Sequence, residues 1–223
     1  MKTFVIGDIH GAHKALVQCL ERSQFNKEED RLVVLGDVAD GWTEIVECFE
    51  ELLTIKNLVY VRGNHDQWLK QWLLKGQAPD IWTLQGGKNT INSYLKHDHA
   101  LWGKHAEFLK KTEHYFEDEN NNLYVHGGID PTTKAEFNSK QYLTWDRDLW
   151  DLRPQTCIHY NEVFVGHTSI WRFSHFPLKQ GNVWFMDTGG GWEGKLTIMD
   201  VDTKKFWQSD LVIQLYPDQR GRN

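Results

Sequence analysis

The chain has 223 residues, 40% of them hydrophobic, and a formal net charge of −6 from 31 acidic and 25 basic residues. That is enough apolar material for one large core, while the acidic balance argues against the broad basic face that duplex nucleic acid requires. Its apolar runs, such as Leu32 to Leu35 and Leu58 to Val61, fall far short of the roughly 20 residues needed to cross a bilayer.

Thr3-Phe4-Val5-Ile6 is short, continuous and β-rich, and Gly7 closes it, so it reads as a buried strand. After Gly11 the spacing changes: Ala12, Ala15, Leu16, Cys19 and Leu20 recur at helical intervals. A second strand is expected over Leu32 to Leu35, ending at Gly36-Asp37. The next helix carries Ile45, Val46, Phe49, Leu52 and Leu53 on one face. A third strand, Leu58 to Val61, runs into Gly63-Asn64-His65-Asp66. This alternation favours parallel strands with helices on the faces of the sheet. From about Trp68 to Phe116 strand signals fade, and Trp68, Leu69, Trp72 and Leu73 begin a helical region. Strands return at Leu123 to Val125, Val163 to Val165, Val183 to Met186 and Leu196 to Val201. Asp202-Thr203-Lys204 reads as a turn before Phe206-Trp207, and Glu117 to Asn122 as an exposed loop. With no repeat or linker in between, the expectation is a single α/β domain over 1–223 with a helical insertion at about 68–116.

Cys19, Cys48 and Cys157 are odd in number, widely spaced and without a CxxC pair. They predict buried free thiols rather than a disulfide framework or a zinc ribbon. The N-terminus lacks the basic, apolar and small-residue sequence of a secretory signal. A reducing, cytoplasmic location is expected, with no membrane partner and no extended nucleic-acid surface. The eleven tryptophans are assigned mainly to the core and to amphipathic helices.

Five strands end in polar clusters: Asp8-Ile9-His10, Asp37, Asn64-His65-Asp66, His126 and His167. Open α/β sheets place ligands beyond the carboxyl ends of their strands, so these clusters should converge. Asp8, His10, Asp37, Asn64, His126 and His167 form a mixed oxygen and nitrogen donor set. That set suits Mn²⁺, Fe or Zn²⁺ better than Ca²⁺, and the lack of thiolates opposes a structural zinc site. Asp8 and His10 would share a face on a strict strand, or a turn starting at Gly7 would aim both at one ion. A single strand-end Asp or His is ordinarily a cap or a satisfied polar group. His13, His97, His99, His105, His114, His159 and His175 are read in that ordinary way.

Gly7-Asp8-Ile9-His10-Gly11, Gly36-Asp37-Val38-Ala39-Asp40, Gly63-Asn64-His65-Asp66, His126-Gly127-Gly128 and Gly166-His167 together resemble the signature of calcineurin-like metallophosphoesterases. Val61-Arg62, Thr144-Trp145-Asp146-Arg147 and Asp187-Thr188-Gly189-Gly190 extend the likeness towards the phosphoprotein phosphatase branch, especially its small bacterial and phage members. The resemblance implies a sandwich of two mixed β-sheets flanked by helices. It implies two divalent ions, Mn²⁺ first with Fe or Zn²⁺ as alternatives: Asp8, His10 and Asp37 hold one, and Asp37, Asn64, His126 and His167 the other. The implied reaction is phosphate monoester hydrolysis by a metal-activated water. His65 is the implied general acid, with Asp40 orienting it. Substrate phosphate would meet Arg147, whose guanidinium matches phosphate oxygens, together with Asn64 and Arg62.

The chain departs from that pattern after Asp40, where the phosphatases carry Arg-Gly and this sequence reads Gly41-Trp42. A second phosphate-binding guanidinium is therefore missing locally, and Arg172 is a candidate replacement. Trp42 either stacks on a nucleobase or begins the following helix. The expected substrate is a phosphorylated protein, at serine or threonine. A dinucleoside polyphosphate or other nucleotide is the alternative. A catalytically silent scaffold would be expected to have lost ligands, and here all six remain together with His65 and Asp40.

Overall fold

The computed structural model describes residues 1–151 and 156–222. The chain opens with β1 (Thr3–Ile6), α1 (His13–Arg22), β2 (Arg31–Val34), α2 (Ile45–Leu52) and β3 (Asn57–Tyr60). A helical stretch follows: α3 (Asn64–Lys75), α4 (Asp80–Trp82), a π-helical turn (Thr83–Gly87), α5 (Lys88–Leu95) and α6 (His99–Lys111). Then come β4 (Tyr115–Glu117), β5 (Leu123–Val125), a 3-10 turn (Ala135–Phe137), α7 (Lys140–Trp145), α8 (Asp148–Asp151) and β6 (Val163–Val165). The chain closes with β7 (Leu178–Gln180), β8 (Val183–Phe185), β9 (Thr197–Asp200), β10 (Phe206–Gln208) and α9 (Val212–Leu215).

Two five-stranded sheets result, in the orders β10-β9-β1-β2-β3 and β4-β5-β6-β8-β7. Each holds three adjacent parallel strands, β1, β2 and β3 running to one edge of the first sheet and β5, β6 and β8 at the centre of the second. The remaining strands join antiparallel, β9 and then β10 beyond β1 in the first sheet, and β4 and β7 at the two edges of the second. The period-two alternation of side chains divides each central strand between two cores. Phe4 and Ile6, Leu32 and Val34, and Ile198 face the helices α1, α2 and α5. Val5, Val33, Met199, Tyr124 and Phe164 face inward and fill the layer between the sheets. Leu123, Val125, Val163 and Val165 bury the outer face of the second sheet. Burial on both faces is why these strands read as continuous apolar runs rather than as alternating ones.

The expected strands are present, shifted by one residue at β2 and β3 and shortened at β9. Phe206-Trp207 forms β10. Two strands were missed. β4 is a three-residue, partly exposed edge with little apolar signal. β7 and β8 form a hairpin across Gly181-Asn182, with Gly181 at φ 58°; that dipeptide is a hairpin-turn signal. All three cysteines are buried free thiols. No described helix is long and apolar enough to cross a membrane.

Candidate metal centre

Parallel pairing puts the carboxyl ends of β1, β2 and β3 on one edge, and those of β5 and β6 on the matching edge of the second sheet. Asp8 and His10 follow β1, Asp37 follows β2, Asn64 and His65 follow β3, His126 follows β5 and His167 follows β6. All of them are buried. His10, Asp37 and His167 adopt left-handed backbone, with φ of 49°, 51° and 59°, a region non-glycine residues seldom occupy. Asp8 and His10 therefore meet across a turn, and the strict-strand alternative does not hold.

Asp66, which had been given no role, fastens these turns together. Its buried carboxylate accepts the backbone N–H groups of Gly63 (3.0 Å), Asp37 (2.8 Å), Val38 (3.0 Å) and Ala39 (3.2 Å). The His65 N–H in turn donates to Asp37 Oδ1 at 2.9 Å. The loops after β2 and β3 are thus one hydrogen-bonded unit. Its close packing requires glycine at position 63, where a Cβ would collide with Asp37 Oδ1.

Two groups of three can hold a cation: Asp8, His10 and Asp37, and Asp37, His126 and His167, with the potential ligand atoms of each group within 4.8 Å of one another. Asp37 belongs to both. Its Oδ2 lies 3.8 Å from His10 Nε2 and 3.2 Å from His126 Nε2, yet it is buried without a well-directed hydrogen bond. Asn64 Oδ1 sits 3.0 Å from His126 Nε2, adjoining the second group.

The histidines are presented as ligands would be. His10 Nδ1 donates to the Ala39 carbonyl (2.9 Å), His126 Nδ1 to the Leu35 carbonyl (2.7 Å) and His167 Nε2 to the Trp145 carbonyl (3.1 Å). A carbonyl only accepts, so each ring carries its proton there. At His10 and His167 the opposite nitrogen keeps its lone pair for the cluster, as metal-binding imidazoles do, whereas His126 Nε2 faces the acceptors Asp37 Oδ2 and Asn64 Oδ1 and holds a proton there that a cation would replace.

The charges fit cations as well. Burial, reinforced by Asp187, holds the Asp8 carboxyl well above the usual range. Burial likewise pushes Asp187 up to about 6. Burial opposes ionisation of Asp37 too, but His126 and His65 beside it hold its carboxyl well below the usual range. His126 is raised to about 9 because Asp37 outweighs its burial. Burial lowers His10, aided by the Arg222 guanidinium, and lowers His167 to about 2, aided by His126. Crowded buried carboxylates, two proton-poor imidazoles and a third whose proton a cation can replace are the donor set a divalent ion satisfies.

His65 stands next to this cluster, its ring 5.1 Å from that of His10. Its Nδ1 lies 2.5 Å from Asp40 Oδ2, while its buried Nε2 has no partner among the described residues. Asp40 is held by Trp82 Nε1 at 2.9 and 2.8 Å and by the Thr90 hydroxyl at 2.6 Å. Arg147 lines an adjoining cavity of about 330 Å³ with His167, Arg172 and Arg222.

Three sequence readings are corrected. Arg62 does not face the cluster: its Nε donates to Thr112 Oγ1 at 2.8 Å, and its Nη2 donates to the Leu109 (3.0 Å) and Thr112 carbonyls. It ties β3 to the last turn of α6, where a cation suits the helix end. Trp42 is no stacking platform. It is buried with its Nε1 donating to the Gly190 carbonyl at 2.8 Å, it stacks on Tyr216, and α2 begins only at Ile45. The guanidinium beside Gly41 belongs to Arg222 rather than Arg172: a Cβ at position 41 would lie 3.4 Å from Arg222 Cγ.

A family model described as calcineurin-like phosphoesterase matches residues 1–190. The chain is 26% identical over 203 residues to serine/threonine-protein phosphatase 1 of Salmonella typhimurium, covering 87% of this chain and 89% of that one. It is also 26% identical over 133 residues to a symmetrical bis(5'-nucleosyl)-tetraphosphatase of Coxiella burnetii, covering 58% of this chain but only 42% of that relative. Among solved structures, one described provisionally as a diadenosine tetraphosphatase shares the fold with a TM-score of 0.68 at 17% identity, over 93% of this chain and 92% of that one. A metallophosphoesterase from Sphaerobacter thermophilus has a TM-score of 0.60 at 15% identity, over 97% and 95% of the two chains.

Proposed function

The chain belongs to the calcineurin-like phosphoesterase family, and on that premise we propose that it is a phosphomonoesterase acting on phosphoserine or phosphothreonine in proteins. The observation that carries this reading is His65, buried beside the cluster with one nitrogen on Asp40 and the other unpaired. Two divalent cations, Mn²⁺ in the first instance, would be held by Asp8, His10 and Asp37 and by Asp37, Asn64, His126 and His167. When bound, they supply charge neutralisation for the phosphoryl group and a nucleophilic water at neutral pH.

The residues supply the rest. Asp40 accepts the Nδ1–H of His65 and fixes the ring. His65 Nε2–H then gives its proton to the ester oxygen as the P–O bond breaks, so the alcohol leaves neutral. Water contributes the oxygen that makes the departing group inorganic phosphate. Arg147 grips the phosphoryl oxygens with its planar fork. Trp82 and Thr90 restrain Asp40 and, through it, the acid.

Likeness over most of both chains to a serine/threonine phosphatase supports the protein substrate. The shorter match to tetraphosphatases gives the nucleotide reading its footing. Release of p-nitrophenol from p-nitrophenyl phosphate by metal-stripped protein, before and after Mn²⁺ is returned, tests the reaction. Turnover that needs Mn²⁺ and disappears in His65→Ala and Asp37→Asn is expected; metal-independent turnover would sink the reading. Phosphopeptides set against a dinucleoside tetraphosphate then decide the substrate.

A further inference from the structure

We propose that Arg222, far along the chain from the other site residues, is a second substrate-phosphate-binding guanidinium, and that it acts opposite Arg147. The proposal rests on the phosphoesterase reading above. After α9 the chain turns back across the site. The Arg222 N–H donates to the Gly191 carbonyl at 2.8 Å. The guanidinium lies over Trp192, 5.1 Å from the ring centre, and Nη1 reaches 3.3 Å from His10 Nε2. Its Nε is buried and has no hydrogen-bond partner among the described residues.

Position 41 explains how the side chain fits. Gly41 is at φ 88°, and a Cβ there would press to 2.9 Å on the His10 carbonyl and meet Arg222 Cγ at 3.4 Å. The stem of Arg222 thus runs through the space a side chain at 41 would use. Gly221 allows the approach, since a Cβ there would come within 2.9 Å of the Trp42 ring. The buried Trp42, unable to stack on a base, is the floor on which this segment rests.

The cavity that Arg222 enters is lined by Arg147, Arg172, His167, Thr168, Ser169, Trp171 and Trp192, with no carboxylate among them. Arg222 is also a cause of the lowered Arg147 pKa, after burial. Asp8, Asp37 and Asp151 act on Arg147 and Asp187 faces the field of Arg222, but none of them lines the cavity, so an anion bound inside it would further relieve the repulsion between the guanidiniums. A phosphate dianion does this, and it spares Arg222 Nη1 from its weak contact with a ring nitrogen that a cation would claim.

The test is calorimetric titration of the Mn²⁺-loaded protein with inorganic phosphate, with metal content and melting temperature measured in parallel. Arg222→Ala should weaken phosphate binding at least about tenfold, and Arg222→Lys less, because a charged hydrogen bond is lost or loses its fork. Gly221→Val should approach the Arg222→Ala result by displacing the arginine without removing it. Arg220→Ala, which removes the same charge outside this cavity, should change binding less than about twofold. In turnover the loss should fall mainly on KM. Equal phosphate affinity in wild type and Arg222→Ala would overturn the proposal, as would wild type that binds no phosphate. Tighter binding or faster turnover in the variant would make Arg222 a plug, and loss of Mn²⁺ would make it a support for His10; either overturns it. Wild type that binds phosphate through Arg222 but hydrolyses no ester would leave this assignment standing and remove the catalytic reading instead.

Discussion

His65 Nδ1 and Asp40 Oδ2 lie 2.5 Å apart, and both carboxylate oxygens of Asp40 are further engaged by Trp82, with Thr90 on Oδ1. The imidazole is therefore fixed from behind, with Nε2 its working nitrogen. His65→Ala should lower kcat by about 10²–10⁴-fold, with Mn²⁺ stoichiometry unchanged because His65 belongs to neither three-residue cluster. Asp40→Asn should also lower kcat, because the ring loses the carboxylate that holds its Nδ1. Steady-state kinetics with metal analysis on the three proteins checks both, and an unchanged kcat in Asp40→Asn would detach the carboxylate from the acid.

Asp66 accepts four backbone N–H groups from two loops. Asp66→Ala strands these donors, at about 1–3 kcal/mol for each left buried without a partner. A loss of at least about 3 kcal/mol in urea unfolding is expected, accompanied by weaker Mn²⁺ binding. Normal stability in this variant would show that the loops hold without it.

Asp37 is the residue common to both ligand groups. Saturating Mn²⁺ should raise the stability of the metal-free protein by about 2.7 kcal/mol for each bound ion at a hundredfold excess over its Kd. Asp37→Asn should abolish most of that gain and reduce the bound metal below two per chain. Thermal melts with and without Mn²⁺, paired with metal analysis, read both.

Tyr124 and Phe164 stack between the sheets with ring centres 5.1 Å apart and planes at 9°. Phe164→Ala should cost about 3–5 kcal/mol through the void it leaves. A cost under about 1 kcal/mol would mean that the two sheets close over the gap.

His114 sits buried near the Arg62 guanidinium and Thr144. Burial, then Arg62, lowers it from 6.5 to about 4. Between those values the unfolded chain binds the proton and the folded one does not, so stability is full above 6.5 and falls as pH drops towards 4. Urea midpoints at about pH 7.5 and about pH 4.5 should differ more for wild type than for His114→Gln. The same drop in both would assign the acid sensitivity elsewhere.

The central strands were readable because burial on both faces writes them as unbroken apolar runs, and the cluster because its members each end such a run. What decides the rest is remote in sequence. Arg222 reaches His10 across 212 residues, which no local pattern encodes. The direction of Arg62 depends on where α6 ends, and the work of Asp66 depends on the neighbouring loop. β4 was lost because a three-residue, half-exposed edge carries almost no signal, whereas the Gly181-Asn182 turn did mark the β7–β8 hairpin.

His10, Asp37, Asp40 and His167 all hold left-handed backbone, a conformation that costs an L-residue roughly 1–2 kcal/mol. Glycine would relieve that strain at each of them and remove a proposed ligand or the partner of the acid in the same step. At Asp37 and Asp40 the donors of His65, Trp82 and Thr90 would be stranded at greater cost, so selection of the metal-free protein for heat resistance should reach His10 or His167 first and yield variants that no longer turn over. A screen for tougher forms would have to score catalysis in every round.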